Sequence, residues 1–523
     1  MLKSKILASS RFVALMLALF MICGVAAGCG PKGGNESSTS ALTGSTGEDS
    51  EGGTDSTGDG TTDTSDPNAV VSGDETTSTS GNKTSSTSGN KTSSTPGSET
   101  LDTTTTKGKT FIILSAHLPE KESSDDYLFE QLFFKRVREV EKKYECTIKI
   151  VTTMLPTATN LAPLIQAGKQ VANVIEVEMR DLPPLVAAGY VTPWTNLPGI
   201  NVNDSKYNAS YTKLGAYSGK YYGLQYMKPP ELRYCVIMNK NLLKAKGINA
   251  DGIYDLIKSK KWNFDKLLEY AKATTNASSG VYGVGGDPDY FMEMVMAANN
   301  ANIVTMNNGK GTPTYASNKV IESLEFMNKL INIDKVYMTN SKMFSSNTYI
   351  AGKTNYIDQF IKGKLTFLFE DSWVLSQQIR PKVKNFDYGM ISIPMGPSGT
   401  NYTSPSGHAR VFCVTSTNKE LAFTSKIFNA IAEQPSGYSG DQWWKDEIQL
   451  DYFQKNDSKS LDVYLSSLNN MSFDPGVGMD TVFDKFLNSA MRDPIFFNSG
   501  KSVAASVKSI EGTLDASIKN MFK

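Results

Sequence analysis

After residue 109 the apolar positions of the chain change period again and again. "TFIILSA" (Thr110–Ala116), "CTIKIVT" (Cys146–Thr152) and "NVIEVE" (Asn173–Glu178) are short apolar runs that predict strands. Between the first two, "SSDDYLFEQLFFKRVREVEKKY" places Leu128, Leu132, Val137, Val140 and Tyr144 near helical spacing, with Ser124, Asp125 and Asp126 as capping candidates. "LAPLIQAGKQ" predicts a second helix, and "LPPLVAAG" a short third one ended by Gly189. Alternating strands and helices point to an α/β fold built on an open, mostly parallel sheet flanked by helices. Ligands of such sheets bind beyond the carboxyl ends of the strands. That directs attention to Ala116 and His117 after the first strand, and to Glu178, Met179 and Arg180 after the third.

A second set of elements follows. "YYGLQYM" and "LRYCVIMN" predict strands on either side of Pro229–Pro230, prolines that suit a crossing between lobes better than the interior of a sheet. "NFDKLLEYAKATT" has Asn263 and Asp265 at a helix start. "NKVIESLEFMNKLINI" carries Val320, Leu324, Met327 and Ile331 on one helical face. "KLTFLFEDSW" and "DYGMISIPMGP" predict strands, and "KSVAASVKSIEGTLDASIKNMF" a closing helix with Gly512 as its weak point. "GVGGDPD" (Gly283–Asp289) lacks the lysine and hydroxyl of a phosphate loop and reads as a turn.

The first hundred residues have another character. Lys3, Lys5 and Arg11, the apolar "FVALMLALFMICGV" and the small residues Ala26, Ala27 and Gly28 have the anatomy of an export signal, too short for a spanning helix and without stop-transfer charges. Small residues directly before Cys29 resemble the lipobox of bacterial lipoproteins, although Ala26 stands where that motif usually carries Leu. The resemblance implies that Cys29 receives lipid and becomes the mature N-terminus. From about residue 34 to 108 the chain is mostly Ser, Thr, Gly and Asp, with "TSGNKTSS" occurring twice in succession. So polar a tract cannot bury enough apolar surface to offset its ordering entropy, and disorder is expected.

Composition narrows the function classes. The 523 residues include 53 basic and 53 acidic ones, with no basic block in the folded part, which argues against nucleic acid as a partner. Cys146, Cys235 and Cys413 stand far apart in strand-like contexts and read as three buried thiols rather than one disulfide and a spare. There is no G-x-S-x-G, Walker loop, H-E-x-x-H or paired-cysteine zinc spacing, and His117 and His408, the only histidines, have no metal-pair spacing.

From Gly219 onward the order of pieces carries a resemblance. "GKYYGLQYMKPPELRYCVIMNKNLL", "WNFDKLLEYAKATT", "FIKGKLTFLFEDSWVL", "FDYGMISIPMGPSG", "NKELAFTSKIFNAI" and the final helix resemble, in that succession, the extracellular solute-binding proteins of family 1, the maltose-binding-protein-like receptors of ATP-driven sugar importers. The resemblance implies a two-lobe, periplasmic-binding-protein-like fold (type II) with a hinge between the lobes. It divides the chain into a lipoprotein signal at 1–28, a linker at 29–108, lobe one at 109–226 and 395–435, and lobe two at 227–394 and 436–523. Crossings are expected near Tyr226–Pro230, Pro394 and Pro435.

It further implies a monomeric, lipid-anchored receptor on the outer face of a Gram-positive-type cell membrane. That receptor would bind a carbohydrate, an oligosaccharide in the first instance, and hand it to permease subunits without chemistry or cofactor. Two other classes stand beside this: a ligand-binding module for a membrane sensor kinase, and a secreted glycan-active enzyme, for which no sequence feature places two carboxylates across a bond.

Sugars offer hydroxyl rims and C–H faces, so their sites combine aromatic platforms with carboxylates, amides and Arg. Trp373 stands where the resembling family often stacks a ring on sugar; the plainer reading is a core Trp. Of the adjacent Glu370 and Asp371, which face opposite sides of a strand, Asp371 leads the loop and is the candidate. Glu178 and Arg180 can hold hydroxyls or simply pair with each other. Tyr226, Tyr290 and Phe291 are aromatic candidates with packing as the alternative, and His117 a polar cleft contact. Trp194 is expected to cap a loop, and Trp443–Trp444 to pack in lobe two or form its rim.

Overall fold

Along the first strand Phe111 and Ile113 turn to one apolar layer and Leu114 to another, and the same alternation separates Val174 from Ile175 and Phe412 from Val411 and Cys413. A sheet buried on both faces has this signature, continuous apolar runs whose alternate residues feed two cores. The computed structural model describes residues 105–521 apart from 124–127, 153–154, 227–230, 308, 340–343, 346–347, 350–354 and 456. The leader at 1–28, Cys29, nearly all of the tract to residue 108, the Ser124–Asp126 caps and Pro229–Pro230 therefore lie outside the described residues.

In chain order the first body runs β1 (Thr110–Ser115), α1 (Leu128–Tyr144), β2 (Thr147–Thr152), α2 (Ala158–Gln166), β3 (Val174–Glu178), α3 (Leu182–Ala187) and β4 (Val191–Thr192). The second body follows with β5 (Tyr234–Asn239), α4 (Phe264–Thr274), β6 (Tyr282–Gly286), α5 (Pro288–Ala298), α6 (Asn318–Asn328), β7 (Leu365–Asp371) and β8 (Tyr388–Ile391). The chain then returns through β9 (Arg410–Thr415) and α7 (Leu421–Ala432) to the first body. It closes with α8 (Gln442–Tyr452), α9 (Ser458–Leu468), α10 (Val503–Lys508) and α11 (Glu511–Met521) on the second.

The sheets are mixed. The first has the order β2-β1-β3-β9-β4, with β1 parallel to β2 and β3 while the returning β9 runs antiparallel to β3 and β4. The second, β8-β5-β7-β6, has one parallel pair, β7 with β6. Alternation of strand and helix reports the βαβ units but not the strands that enter a sheet from the other body, and those are the antiparallel ones.

Local chemistry accounts for the helix ends. Asn263 caps α4 by accepting from the Lys266 amide, Asp287 caps α5 ahead of Pro288, and Gly189 takes the positive φ of 69° just past α3. "GVGGDPD" corrects the turn expected there: Gly283–Gly286 lie in strand β6, and Asp287 starts a helix. A Cβ on Gly283 would stand 2.4 Å from Ala271 Cα, so glycine is what lets α4 lie on this strand. The closing helix is broken at Ser509–Ile510 rather than at Gly512. Of "YYGLQYM" only Tyr221 lies in a strand, the short Lys220–Tyr221, with single bridges from Leu224 to Phe412 and from Tyr226 to Tyr207.

Cys146, Cys235 and Cys413 are buried free thiols. Trp194 is fully buried, its Nε1 donating to Phe412 O at 2.8 Å. The stretch after Pro394 stays with the second body as far as Pro405: Met395 exchanges backbone bonds with Trp262 and Phe264, and Ser404–Pro405 pair with Met471–Ser472. Gly407 and Ala409 then accept from Arg180 and Met179, so the passage to the first body falls at Ser406–Ala409.

Candidate functional site

Charged residues inside strands buried on both sides must find partners, and here they find one another. Arg410 opens β9, Arg233 precedes β5, and both turn to Glu231. Its Oε1 accepts from Arg410 Nη2 at 2.8 Å, Arg410 Nε at 3.2 Å and Arg233 Nη1 at 2.9 Å, while Oε2 accepts from Gln225 Nε2 at 3.3 Å. Arg233 Nη2 reaches on to Asp371 Oδ2 at 2.6 Å. The result is an alternating chain, Arg410–Glu231–Arg233–Asp371, running from the first body to the second. Burial alone would raise the Glu231 carboxyl, but Arg410 and then Arg233 bring it down to about 2. For Asp371 burial outweighs Arg233 and pushes the carboxyl up to about 7.

Arg410, Glu231 and Arg233 of this chain floor a cavity of about 260 Å³ between the bodies. The first body contributes His117, Phe129, Phe133, Glu176, Tyr226 and Phe412; the second contributes Trp373, Ser376, Trp443, Asp451 and Tyr452. Tyr226 and Phe412 stack, centroids 5.5 Å apart. Trp373 is a large apolar side chain left 36% exposed, its backbone N–H donating to Asp371 Oδ1 at 3.3 Å. Ser115 shapes the loop carrying His117: its Oγ accepts from the amides of His117 and Leu118 and donates to Glu176. Burial, then Arg410, lower the His117 pKa, so the ring is neutral near pH 7.

Three of the expected site residues, Trp373, Tyr226 and His117, line this cavity. Asp371 lies behind Trp373 and orients Arg233. Glu178, Arg180 and Tyr290 gather around His408 instead. Glu178 pairs with Arg180 Nε at 2.8 Å, His408 Nδ1 at 3.3 Å and His117 Nε2 at 3.8 Å, and the Tyr290 ring stands edge-on to His408 at 5.2 Å. Burial opposes ionisation of Glu178, but the His408 hydrogen bond and Arg180 hold its carboxyl at about 2. Phe291 is corrected outright: it is fully buried in the second core, 4.7 Å from Phe369 and 5.2 Å from Tyr337, because its position on α5 turns it to the sheet. Trp443 lines the cavity, whereas Trp444 is buried in the second core.

Of this alternating chain of charges only Asp371 is among the residues the sequence singles out; Glu231, Arg233 and Arg410 are not, although Arg233 stands directly before the apolar run of β5 and Arg410 at the first position of β9. Among the described residues no group of three or more His, Cys, Asp or Glu is placed to hold a metal ion, and no helix is long and apolar enough to cross a membrane.

At the seam behind the floor, Glu293 is buried with Tyr234 Oη at 3.5 Å. Burial raises its carboxyl to about 8. A raised carboxyl is protonated in the folded chain while the unfolded chain has already ionised, so its stabilisation is complete below the unfolded pKa and is lost as pH rises toward 8. Stability should therefore fall from pH 5 to pH 8 with a slope from this group approaching about 1.4 kcal/mol per pH unit. Urea unfolding of wild type and Glu293→Gln across that range checks this: the variant loses one proton's worth of slope, and an unchanged slope contradicts the assignment.

Comparison with known proteins adds the following. The profile of the family described as bacterial extracellular solute-binding protein matches residues 119–424, more than half of the chain. No curated protein matches the sequence. Among solved structures the chain is similar to the ABC substrate-binding protein Lmo0181 from Listeria monocytogenes in complex with cycloalternan. The TM-score there is 0.55 at 16% identity, covering 79% of this chain and 99% of that one. A cyclo/maltodextrin-binding protein complexed with maltotetraose gives 0.56 at 15% identity, covering 80% and 99%. UgpB from Mycobacterium tuberculosis in complex with glycerophosphocholine gives 0.57 at 14%, covering 79% and 99%.

Proposed function

Because the chain belongs to the bacterial extracellular solute-binding proteins, we propose that it is the substrate-binding component of an ATP-driven importer. It takes a carbohydrate, an oligosaccharide in the first instance, between its two bodies and passes it to membrane permease subunits. The observation that carries this reading is the composition of the cavity: aromatic rings from both bodies, Tyr226 and Phe133 facing Trp373 and Trp443, over a floor of fixed charges. Rings suit the C–H faces of a sugar, and the floor's guanidiniums and carboxylates suit its hydroxyls.

Charge separates a neutral ligand from an anionic one. Arg233 and Arg410 are already matched by Glu231 and Asp371, and Glu176 and Asp451 add carboxylates to the lining. Arg136, the third guanidinium of the lining, is paired with Glu139, so a phosphate or carboxylate ligand would meet no unmatched guanidinium. Two-sided contact also supplies a mechanism. Groups on both bodies reach a ligand together only in the closed arrangement, so binding selects that arrangement, and closure is what a permease can read. Thermal midpoints measured across saccharides, peptides and divalent metals test the reading. A saccharide is expected to raise the midpoint; a rise with peptide or metal alone refutes the carbohydrate assignment.

The finer topology of the reading is an anchor. Cys29 carries lipid at the outer face of the membrane, and the tract of about 79 residues behind it is a tether with a root-mean-square reach of roughly 45 to 55 Å. Such a reach suits a cell with a thick wall, and because one acyl chain holds only weakly, more than one is expected. Cys29→Ser should move the protein from the membrane fraction into the medium. A variant that stays with the membrane refutes the anchor.

A further inference from the structure

The cleft is walled by two helices from different bodies. Helix α1 presents Phe129, Phe133 and Arg136, spaced by four and three residues and so on one face, and α8 presents Trp443, Ile448 and Tyr452. At their N-terminal ends the two walls touch. The rings of Phe129 and Trp443 stand edge to face, centroids 6.2 Å apart at 71°, and Trp443 packs in the same manner on Tyr438 at 5.2 Å.

Tyr438 lies in the strap between α7 and α8, and that strap is fastened to α1. Lys135 Nζ sits 5.3 Å from the Tyr438 ring and donates to Ser436 O at 2.7 Å, while Ser436 also bonds Glu139. The ring pair is thus held from both sides of the cleft. Trp443 Nε1 is buried without a hydrogen-bond partner among the described residues, a donor on the wall of the cavity.

We infer that the Phe129–Trp443 pair is a stop that limits the ligand to a disaccharide or shorter, an inference that rests on the carbohydrate reading and replaces the oligosaccharide proposed there with the short end of its class. The whole cavity that this pair lines together with Arg410, Glu231 and Arg233 measures about 260 Å³, below the roughly 300–1,000 Å³ of sites that enclose drug-sized ligands. A longer chain must part the two rings. Parting them forfeits their edge-to-face attraction and returns apolar surface to water, a penalty a shorter sugar does not meet.

Calorimetric Kd values for a disaccharide and a tetrasaccharide of the same linkage, measured on the full chain, test the stop. Wild type is expected to prefer the disaccharide. In Phe129→Ala the ratio of the two Kd values should move toward the tetrasaccharide by about tenfold, while Trp443→Phe, which keeps a ring edge at the contact, retains the wild-type ratio. A purely stacking role would weaken both sugars in proportion and leave the ratio unmoved, and that result overturns the proposal, as does wild type preferring the tetrasaccharide. If Phe129→Ala does not fold, Phe129→Leu reads the same ratio. A wild type that binds no saccharide of either length removes the carbohydrate reading, and the stop with it.

Discussion

Replacing Glu231 with alanine is expected to lower the thermal midpoint by on the order of 10 °C, the cost of leaving buried charge unpaired being about 3–5 kcal/mol. The reason is the position of its carboxylate between two guanidiniums, at 2.8 Å from Arg410 and 2.9 Å from Arg233. Without it Arg410 and Arg233 face each other with the more distant Glu176 and Glu178 and the Asp371 carboxyl as their remaining acidic neighbours.

The pH dependence has a definite sign. The folded pKa of Glu231, about 2, lies below that of an unfolded Glu, about 4.3, so its contribution is present above that unfolded value and is lost as pH falls through the folded one. Scanning calorimetry of wild type and Glu231→Ala at pH 7 and pH 2.5 should therefore show a wide gap that narrows in acid. Equal midpoints at pH 7 would mean that the chain of charges contributes nothing to joining the bodies.

Trp373→Ala is expected to weaken saccharide binding by about 10- to 100-fold, the worth of a lost aromatic platform and its burial, with a midpoint close to wild type. Trp373 is more than a third exposed in a chain that buries most of its large rings, so its truncation leaves little cavity in the core. Its placement depends on a relay: Arg233 holds Asp371, and Asp371 accepts from the Trp373 amide. Asp371→Asn should accordingly cost affinity through the ring it orients, by less than loss of the ring itself. Titration calorimetry distinguishes the cases. If Trp373→Ala binds as wild type does, the ring is packing and not platform, and the cavity must grip its ligand elsewhere.

Strands β1, β3, β5 and β7 were legible because they are buried on both faces, which writes continuous apolar runs into the sequence, and β2 because buried Ile148 and Ile150 alternate with exposed Thr147 and Lys149. Caps at Asn263 and Asp287 were legible as local chemistry. The mixed direction of the sheets was not, because β9 enters the first sheet after a long excursion through the second body and no local pattern records direction. For the same reason the three-glycine β6 read as a turn; its Gly283 answers to the close approach of α4 and its Gly286 to that of Phe369 on β7, both tertiary facts. Trp373, Tyr226 and His117 each stand at a strand end or crossing, a position readable in the sequence, and all three line the cavity. Phe291 was misplaced because helix α5 is apolar nearly all round, leaving no stripe to show which face meets the sheet. Glu178 and His408 lie about 230 residues apart in sequence, and their meeting could only come from the pairing of β3 with β9, where Arg410 stands opposite Glu178.

In the proposed function one carbohydrate is held between the two bodies and left chemically unchanged. Isothermal titration of the chain with the saccharide that raises its midpoint, followed by chromatography of the recovered sugar, tests it most directly. One molecule bound per chain, abolished or strongly weakened in Trp373→Ala, with the sugar recovered intact, is the predicted result. Binding that is indifferent to Trp373, or a saccharide returned as cleaved or transferred product, would contradict it.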